Sequence, residues 1–169
     1  MKNKSFRITA DVVLPKGDEQ GVIVTQGGLS AGYALMFKEG KPILHYNLAN
    51  VAHYNIAAKD ALASGKHTVV FDFRYDGGGI GKGGTGTLSV DGKQVAQGRI
   101  ASTMPIRFSF DETFDVGEDT GTPVSEDYDV PFKFTGQIEK VVIKPGIAKL
   151  SAADQEKIER ADYVRLTAD

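Results

Sequence analysis

Hydrophobic and polar residues alternate along most of this chain with a period of two. Over 5–12 the spacing puts Phe6, Ile8, Ala10 and Val12 on one face; over 67–75 it puts Val69, Phe71, Phe73 and Tyr75 on one face. A period of two is that of a strand with one side buried. Further strands are predicted at 21–25, 33–38, 43–47, 85–90, 94–99, 106–110 and 134–143. The intervening stretches carry turn signals: Gly27-Gly28, Glu39-Gly40-Lys41-Pro42 and Asp91-Gly92. Short strands at regular spacing with glycine-rich turns predict an all-β chain, a β-sandwich of two antiparallel sheets.

The pattern changes only in the tail. Ser151 stands three residues before Asp154, a capping arrangement, and Ile158, Ala161 and Val164 follow at helical spacing. Acids come early and Arg160 and Arg165 late, as the helix dipole favours. One helix is expected over 151–166. The chain is thus divided into a β-sandwich domain, 1–147, and a helical tail, 148–169, packed on it or extending from it.

The bulk numbers narrow the function classes. The chain has 169 residues, 41% of them hydrophobic, a net charge of −2 and no cysteine. It is long enough for one domain with a sizeable core. The charge balance favours neither nucleic acid nor an anionic membrane as partner. No apolar run reaches the eighteen residues of a membrane span, and the first residues show no signal-peptide h-region. Without cysteine there is no thiolate nucleophile and no disulfide framework. The compartment is left open.

The stretch 73–92, FRYDGGGIGKGGTGTLSVDG, holds eight glycines and fits G-x-G-x-x-G twice, at Gly79/Gly81/Gly84 and at Gly81/Gly83/Gly86. That fingerprint binds phosphate only where its glycines open a helix. Here they run into an alternating, β-branched segment closed by Asp91-Gly92, the signal of a strand entering a hairpin. The glycines are therefore expected to form a long, sharply turning connection between strands.

Three groups of residues could carry chemistry. The segment 111–129 has eight carboxylates and no cation. It reads as a solvated acidic loop, as a calcium site with Asp115, Glu118 and Asp119 as ligands, or as a pair of catalytic carboxylates. It lacks the spacing of an EF-hand. His45, Tyr46, Asn47 and Tyr54 combine aromatic rings with imidazole and amide, a mixture that suits a carbohydrate-binding face and equally an ordinary strand surface. His67, opening a strand after Gly65-Lys66, reads as structural. A nucleophile elbow G-x-S-x-G is absent, so no catalytic residue is assigned.

Several segments carry a resemblance. The run 67–92 is similar to the strand–loop–strand hairpin of concanavalin A-like, laminin G-like jelly rolls. GVIVTQGG (21–28), Gly40-Lys41-Pro42 followed by Tyr46-Asn47, YDGGGIGKGG (75–84), FDVGEDTGTPVSEDY (114–128) and PFKFTGQIEKV (131–141) resemble, in this order, the C-terminal region of bacterial arylsulfatases. That family uses a formylglycine made from Cys or Ser in C/S-x-P-x-R and a calcium held in an α/β domain. Thr103-Met104-Pro105-Ile106-Arg107 imitates the spacing, but threonine cannot give the aldehyde. The resemblance implies an accessory jelly roll without the catalytic domain, from a family often periplasmic or secreted. The expected function is a non-catalytic domain supporting a sulfatase catalytic domain, in cis or in trans, or its substrate binding. The alternatives are an autonomous, calcium-dependent carbohydrate-binding module and a glycosidase on the same fold; the E-x-D-x-E strand pattern of such enzymes is absent.

Overall fold

A computed structural model describes residues 2–106, 108, 114–147 and 150–166. Ten strands and one helix follow one another along the described residues: β1 (Phe6–Leu14), β2 (Gly21–Gly28), β3 (Ala31–Lys38), β4 (Lys41–Leu48), β5 (Ala52–Ala57), β6 (Gly65–Tyr75), β7 (Lys82–Val90), β8 (Lys93–Ser102), β9 (Phe114–Val116), β10 (Gln137–Pro145) and α1 (Ala152–Leu166). They form two five-stranded antiparallel sheets. Sheet I has the order β10-β1-β6-β7-β8 and sheet II the order β5-β4-β3-β2-β9.

The alternation read from the sequence builds the core between them. Ile8, Ala10, Val12, Val69, Phe71 and Leu88 of sheet I face Val24, Tyr33, Leu35, Phe37 and Leu44 of sheet II, all buried. Each large side chain so buried contributes about 1.5–3 kcal/mol of transfer free energy. Aromatic rings fill one end: Phe6 lies 5.3 Å from Phe73 and 6.1 Å from Tyr33, whose ring meets Phe108 edge-on at 5.5 Å. Such tilted pairs add to plain burial.

Tight turns set the register. Asp91 and Gly92 both have positive φ, as do Glu39 and Gly40, matching two-residue hairpins whose twist suits the flanking strands. The helix starts where its cap was read: the Asp154 amide donates to Ser151 Oγ at 3.1 Å, and the Ser151 hydroxyl donates to Asp154 Oδ2 at 2.8 Å. No described helix is long and apolar enough to cross a membrane.

Three local expectations change. First, β5 and β9 are strands the sequence reading did not assign; β9 has three residues and β5 is mostly polar on one face. Second, of the strand expected at 106–110, Ile106 and Phe108 lie outside any strand, and Arg107, Ser109 and Phe110 fall outside the described residues. Third, the glycine-rich stretch is only partly a connection. Gly83, Gly84 and Gly86 are residues of β7. A Cβ on Gly84 would sit 2.3 Å from Phe73 Cζ and 2.5 Å from the Arg74 carbonyl oxygen. These glycines let β7 approach its neighbours, rather than turn the chain.

Sheet II is covered on both sides over β2, β3 and most of β4, while the outward side of β5 stays exposed. The chain after β9 runs back along β2: the Val22 amide donates to the Phe132 carbonyl at 3.2 Å, and the Thr135 amide to the Gln20 carbonyl at 2.8 Å. Tyr128 then packs with Val22 and Met36 as a second small core, flanked by Ile43, Val130 and Phe132. Gly21 makes room for this approach, since a Cβ there would lie 2.2 Å from the Lys133 carbonyl oxygen. This explains why β2 and β3 read as apolar runs rather than clean alternations.

Gly84→Ala is expected to destabilise the protein by about 1–3 kcal/mol, because the Arg74 carbonyl cannot yield without disturbing the β6–β7 ladder. Denaturant unfolding would read this as a lower midpoint at unchanged slope; an unchanged midpoint would contradict the close approach.

Candidate functional site

The four residues grouped as a sugar face are divided by strand alternation. Tyr46 and Tyr54, cross-strand partners on β4 and β5, point into the sandwich. The Tyr46 hydroxyl accepts the Met104 amide at 2.8 Å, and its ring meets Phe108. His45 and Asn47 point the other way. Asn47 is fully buried: Nδ2 donates to the Leu29 carbonyl at 2.9 Å and Oδ1 accepts the Asn50 amide at 2.8 Å, so the side chain locks the β4–β5 turn against the β2–β3 turn.

His45 is buried beside two exposed neighbours, with Nδ1 2.6 Å from Asn55 Oδ1 and Nε2 3.2 Å from His53 Nδ1. Burial is the main cause that lowers its pKa below the ordinary histidine value, with the charge of His53 acting in the same sense. His67 behaves oppositely. Burial works against its charged form, but hydrogen bonds to Asp91 Oδ2 at 2.7 Å and to the Ala63 carbonyl at 2.9 Å outweigh it and raise the pKa. It ties the start of β6 to the Asp91-Gly92 turn.

The acidic segment splits as well. Asp111 and Glu112 lie outside the described residues. Asp115, on β9, accepts a hydrogen bond from the Thr120 hydroxyl at 3.3 Å. Asp119 is buried and accepts one from the Tyr128 hydroxyl; burial is the first cause that raises the Tyr128 pKa, with this bond second. Glu118 stands between them, half-buried. Among the described residues no three His, Asp or Glu side chains converge as a metal site.

The open surface is the outer side of sheet I. Its strands present Arg7, Thr9 and Asp11 from β1, Asp72 and Arg74 from β6, Thr85 and Thr87 from β7, and Gln97 and Arg99 from β8, joined row by row through the cross-strand register. Neighbours pair across strands. Arg7 Nε donates to Asp72 Oδ1 at 2.6 Å, Thr68 to Asp11 at 2.8 Å, and Gln97 to Thr87 at 3.1 Å.

At the Ser5 end this face deepens into two adjoining clefts of about 510 and 420 Å³, which share Ser5 and Arg74. Lys4, Tyr75, Asp76 and Ile147 line the first; Arg7, Asp72 and Lys144 line the second. The rim is fixed from below. The Tyr75 amide donates to Ser5 Oγ at 3.0 Å; the Tyr75 hydroxyl donates to the Gly79 carbonyl at 2.6 Å and accepts the Lys82 amide at 2.9 Å. Asn3 Oδ1 accepts the Gly81 amide at 2.8 Å. The connection 76–81 is therefore held at both ends, while a Cβ on Gly77 or Gly78 at its tip would meet no atom within 4 Å.

Charge is unevenly matched here. Lys4, Arg7, Arg74 and Lys144 face two carboxylates, Asp72 and Asp76. Asp72 is taken by Arg7, and Asp76 by a two-pronged contact with Arg99, one arm at 2.9 Å. The Arg99 guanidinium, chiefly through its hydrogen bond, holds Asp76 below the usual carboxylate range, and the charge of Arg74 adds to this. Lys4, Arg74 and Lys144 form no ion pair with any described residue. None of these groove residues was singled out from the sequence. For Arg7, Asp72 and Arg74 the signal was present, in the polar alternates of 5–12 and 67–75 opposite the apolar set, but a polar strand face has no spacing that separates a site from plain solvation.

No protein-family model matches the chain, and no curated protein matches it. Solved structures do. The chain is similar to domains LG4-5 of the mouse laminin alpha1 chain, with TM-score 0.59 and 13% identity over 89% of this chain and 40% of that one. It is similar to the CBM40 domain of Ruminococcus gnavus IT-sialidase bound to alpha2,3 sialyllactose, with TM-score 0.59 and 14% identity over 94% of this chain and 83% of that one. It also matches a structure described as NanB plus Optactamide, with TM-score 0.58 and 14% identity over 91% of this chain and 23% of that one. The likeness establishes a laminin G-like jelly-roll fold.

Two measurements check the assignments outside the groove. Asn47→Ala is expected to cost about 1–3 kcal/mol, the penalty for leaving the Leu29 carbonyl and the Asn50 amide without their partner; a wild-type melting temperature would contradict its structural role. NMR titration is expected to place the His45 midpoint below about 6.5 and that of His67 above it. The stabilities follow with opposite signs. His45, depressed in the fold, contributes stability that is lost as pH falls through the unfolded value. His67, raised in the fold, contributes stability that is present below the unfolded value and lost as pH rises through the folded one. His67→Gln should therefore cost more stability at pH 5.5 than at pH 8.

Proposed function

We propose that this chain is a non-catalytic carbohydrate-binding jelly-roll domain that serves an enzyme's catalytic domain as an accessory, with the outer side of sheet I as its sugar-facing surface. The observation that carries this reading is the asymmetry of the two sheets: one outer face is covered at β2 and β3 by the chain's own 117–135 segment, and the other is open and rich in paired hydrogen-bonding side chains. Arg, Asp, Thr and Gln at fixed cross-strand spacing supply the donors and acceptors that sugar hydroxyls require. The fold is shared with a domain whose structure is described as bound to sialyllactose. Fold likeness alone does not make a binder, so the open face carries the argument.

The arylsulfatase-like segments favour a sulfatase as the catalytic partner. An apolar edge supports such docking: Phe114 and Val116 of β9 are 46% and 51% exposed at the rim of sheet II. Size-exclusion co-elution with a sulfatase catalytic domain, lost in Phe114→Ser, would support this partner; no association at tens of micromolar would remove it.

The first test is a glycan array carrying neutral, carboxylated and sulfated sugars, run with calcium and then with chelator. Specific binding is expected, and silence on every glycan at high protein concentration would overturn the reading. Calcium enters as a variable: binding abolished by chelation would bring an ion into the account and direct the search to Asp115, Glu118 and Asp119, and unchanged binding removes calcium from it.

A further inference from the structure

The groove where Ser5 meets Arg74 has a chemistry narrower than sugar recognition in general. The chain as a whole is acidic, with a net charge of −2, yet this end of sheet I concentrates cations. Its two carboxylates are already neutralised by Arg7 and Arg99. That leaves Lys4, Arg74 and Lys144 with no ion-pair partner among the described residues, on the walls of two clefts that join at Ser5 and Arg74. Unmatched like charges brought together on a rigid sheet repel one another, and an anion that bridges them relieves this.

We infer that this groove binds the anionic group of an acidic glycan, with Arg74 gripping the carboxylate or sulfate and Lys144 and Lys4 flanking it. This inference rests on the sugar-binding reading above and names the ligand class for that surface. The planar guanidinium of Arg74 suits a two-oxygen grip. The remaining hydroxyls of the sugar fall over the Arg7–Asp72 pair and Thr85, which lie on the adjoining strands. The 76–81 connection, tethered at Gly79 and Gly81, contributes Asp76 and Gly77 to the cleft wall, and tethering of this kind lowers the ordering cost of association. Attraction of this kind weakens as salt rises.

The experiment measures binding of the whole chain to matched oligosaccharides by calorimetry: a neutral one, its carboxylated form, its sulfated form, and inorganic polyphosphate as a non-sugar polyanion. The variants are Arg74→Ala, Arg74→Lys and Lys144→Ala, with Arg160→Ala on α1 removing the same charge elsewhere. All three sites are exposed, so melting temperatures should stay at the wild-type value. An acidic sugar is expected to bind more tightly than the neutral one, and Arg74→Ala to weaken it by ~10- to 100-fold, the range of a charged hydrogen bond. Lysine should restore part of the loss, and Arg160→Ala should change nothing. The carboxylated and sulfated arms tell which anion fits.

Equal affinity for neutral and acidic sugars, unaffected by Arg74→Ala, would overturn the inference and leave the sugar-binding reading standing. Polyphosphate binding as tightly as the acidic sugar would overturn it as well, since the groove would then be a general anion site. No binding to any sugar would overturn both.

Discussion

The return of the chain along β2 after β9 is the contact on which the architecture of this surface depends. It uses backbone hydrogen bonds from Val22 to Phe132 and from Thr135 to Gln20, and it places Tyr128 on Val22 and Met36. Gly21 and its positive φ are what allow it, because a side chain there would occupy the position of the Lys133 carbonyl. Once this segment is seated, β2 and β3 are buried on both sides and sheet II cannot offer a broad surface there. Sheet I, buried on one side only, becomes the face that meets solvent.

The distribution of polar residues follows from that division. On sheet II the outward-pointing His45 and Asn47 are enclosed, and both spend their hydrogen bonds on the protein itself. A buried amide with a partner for each group is a fastener, since freeing it for a ligand would leave the Leu29 carbonyl and the Asn50 amide unpaired. On sheet I the outward residues are held only by exposed cross-strand pairs such as Arg7–Asp72 and Thr87–Gln97. Exposed pairs of this kind contribute little stability, commonly under about 1 kcal/mol. They can exchange partners with a ligand at small cost, which is the property a recognition surface needs.

The glycine-rich stretch joins the two aspects. Its later part, 82–90, belongs to β7, where missing side chains let the Phe73 ring and the Arg74 carbonyl come close. The connection 76–81 adds Asp76 and Gly77 to the wall of the groove and is tethered by the Tyr75 hydroxyl and the Asn3 side chain. Packing thus fixes β7, and β7 fixes where the wall stands relative to Arg74.

Much of the fold was legible in the sequence because burial on one face imposes a period of two. Residues 5–12 and 67–75 announced β1 and β6, Asp91-Gly92 announced its hairpin, and Ser151 with Asp154 announced the helix cap. The strand β9 was not legible, since three residues carry no period, and β5 was obscured because its outward His53 and Asn55 meet only solvent and a neighbouring histidine. For the site, composition drew the eye to His45, Tyr46, Asn47 and Tyr54, and alternation alone already sets Tyr46 against its two neighbours. What the sequence by itself determined is therefore which side of each strand is apolar. Which polar side stays open was decided by tertiary structure alone, because only the docking of a distant segment on β2 covers one sheet, and only the pairing of β10, β1, β6 and β7 brings Lys144, Arg7 and Arg74 to one groove.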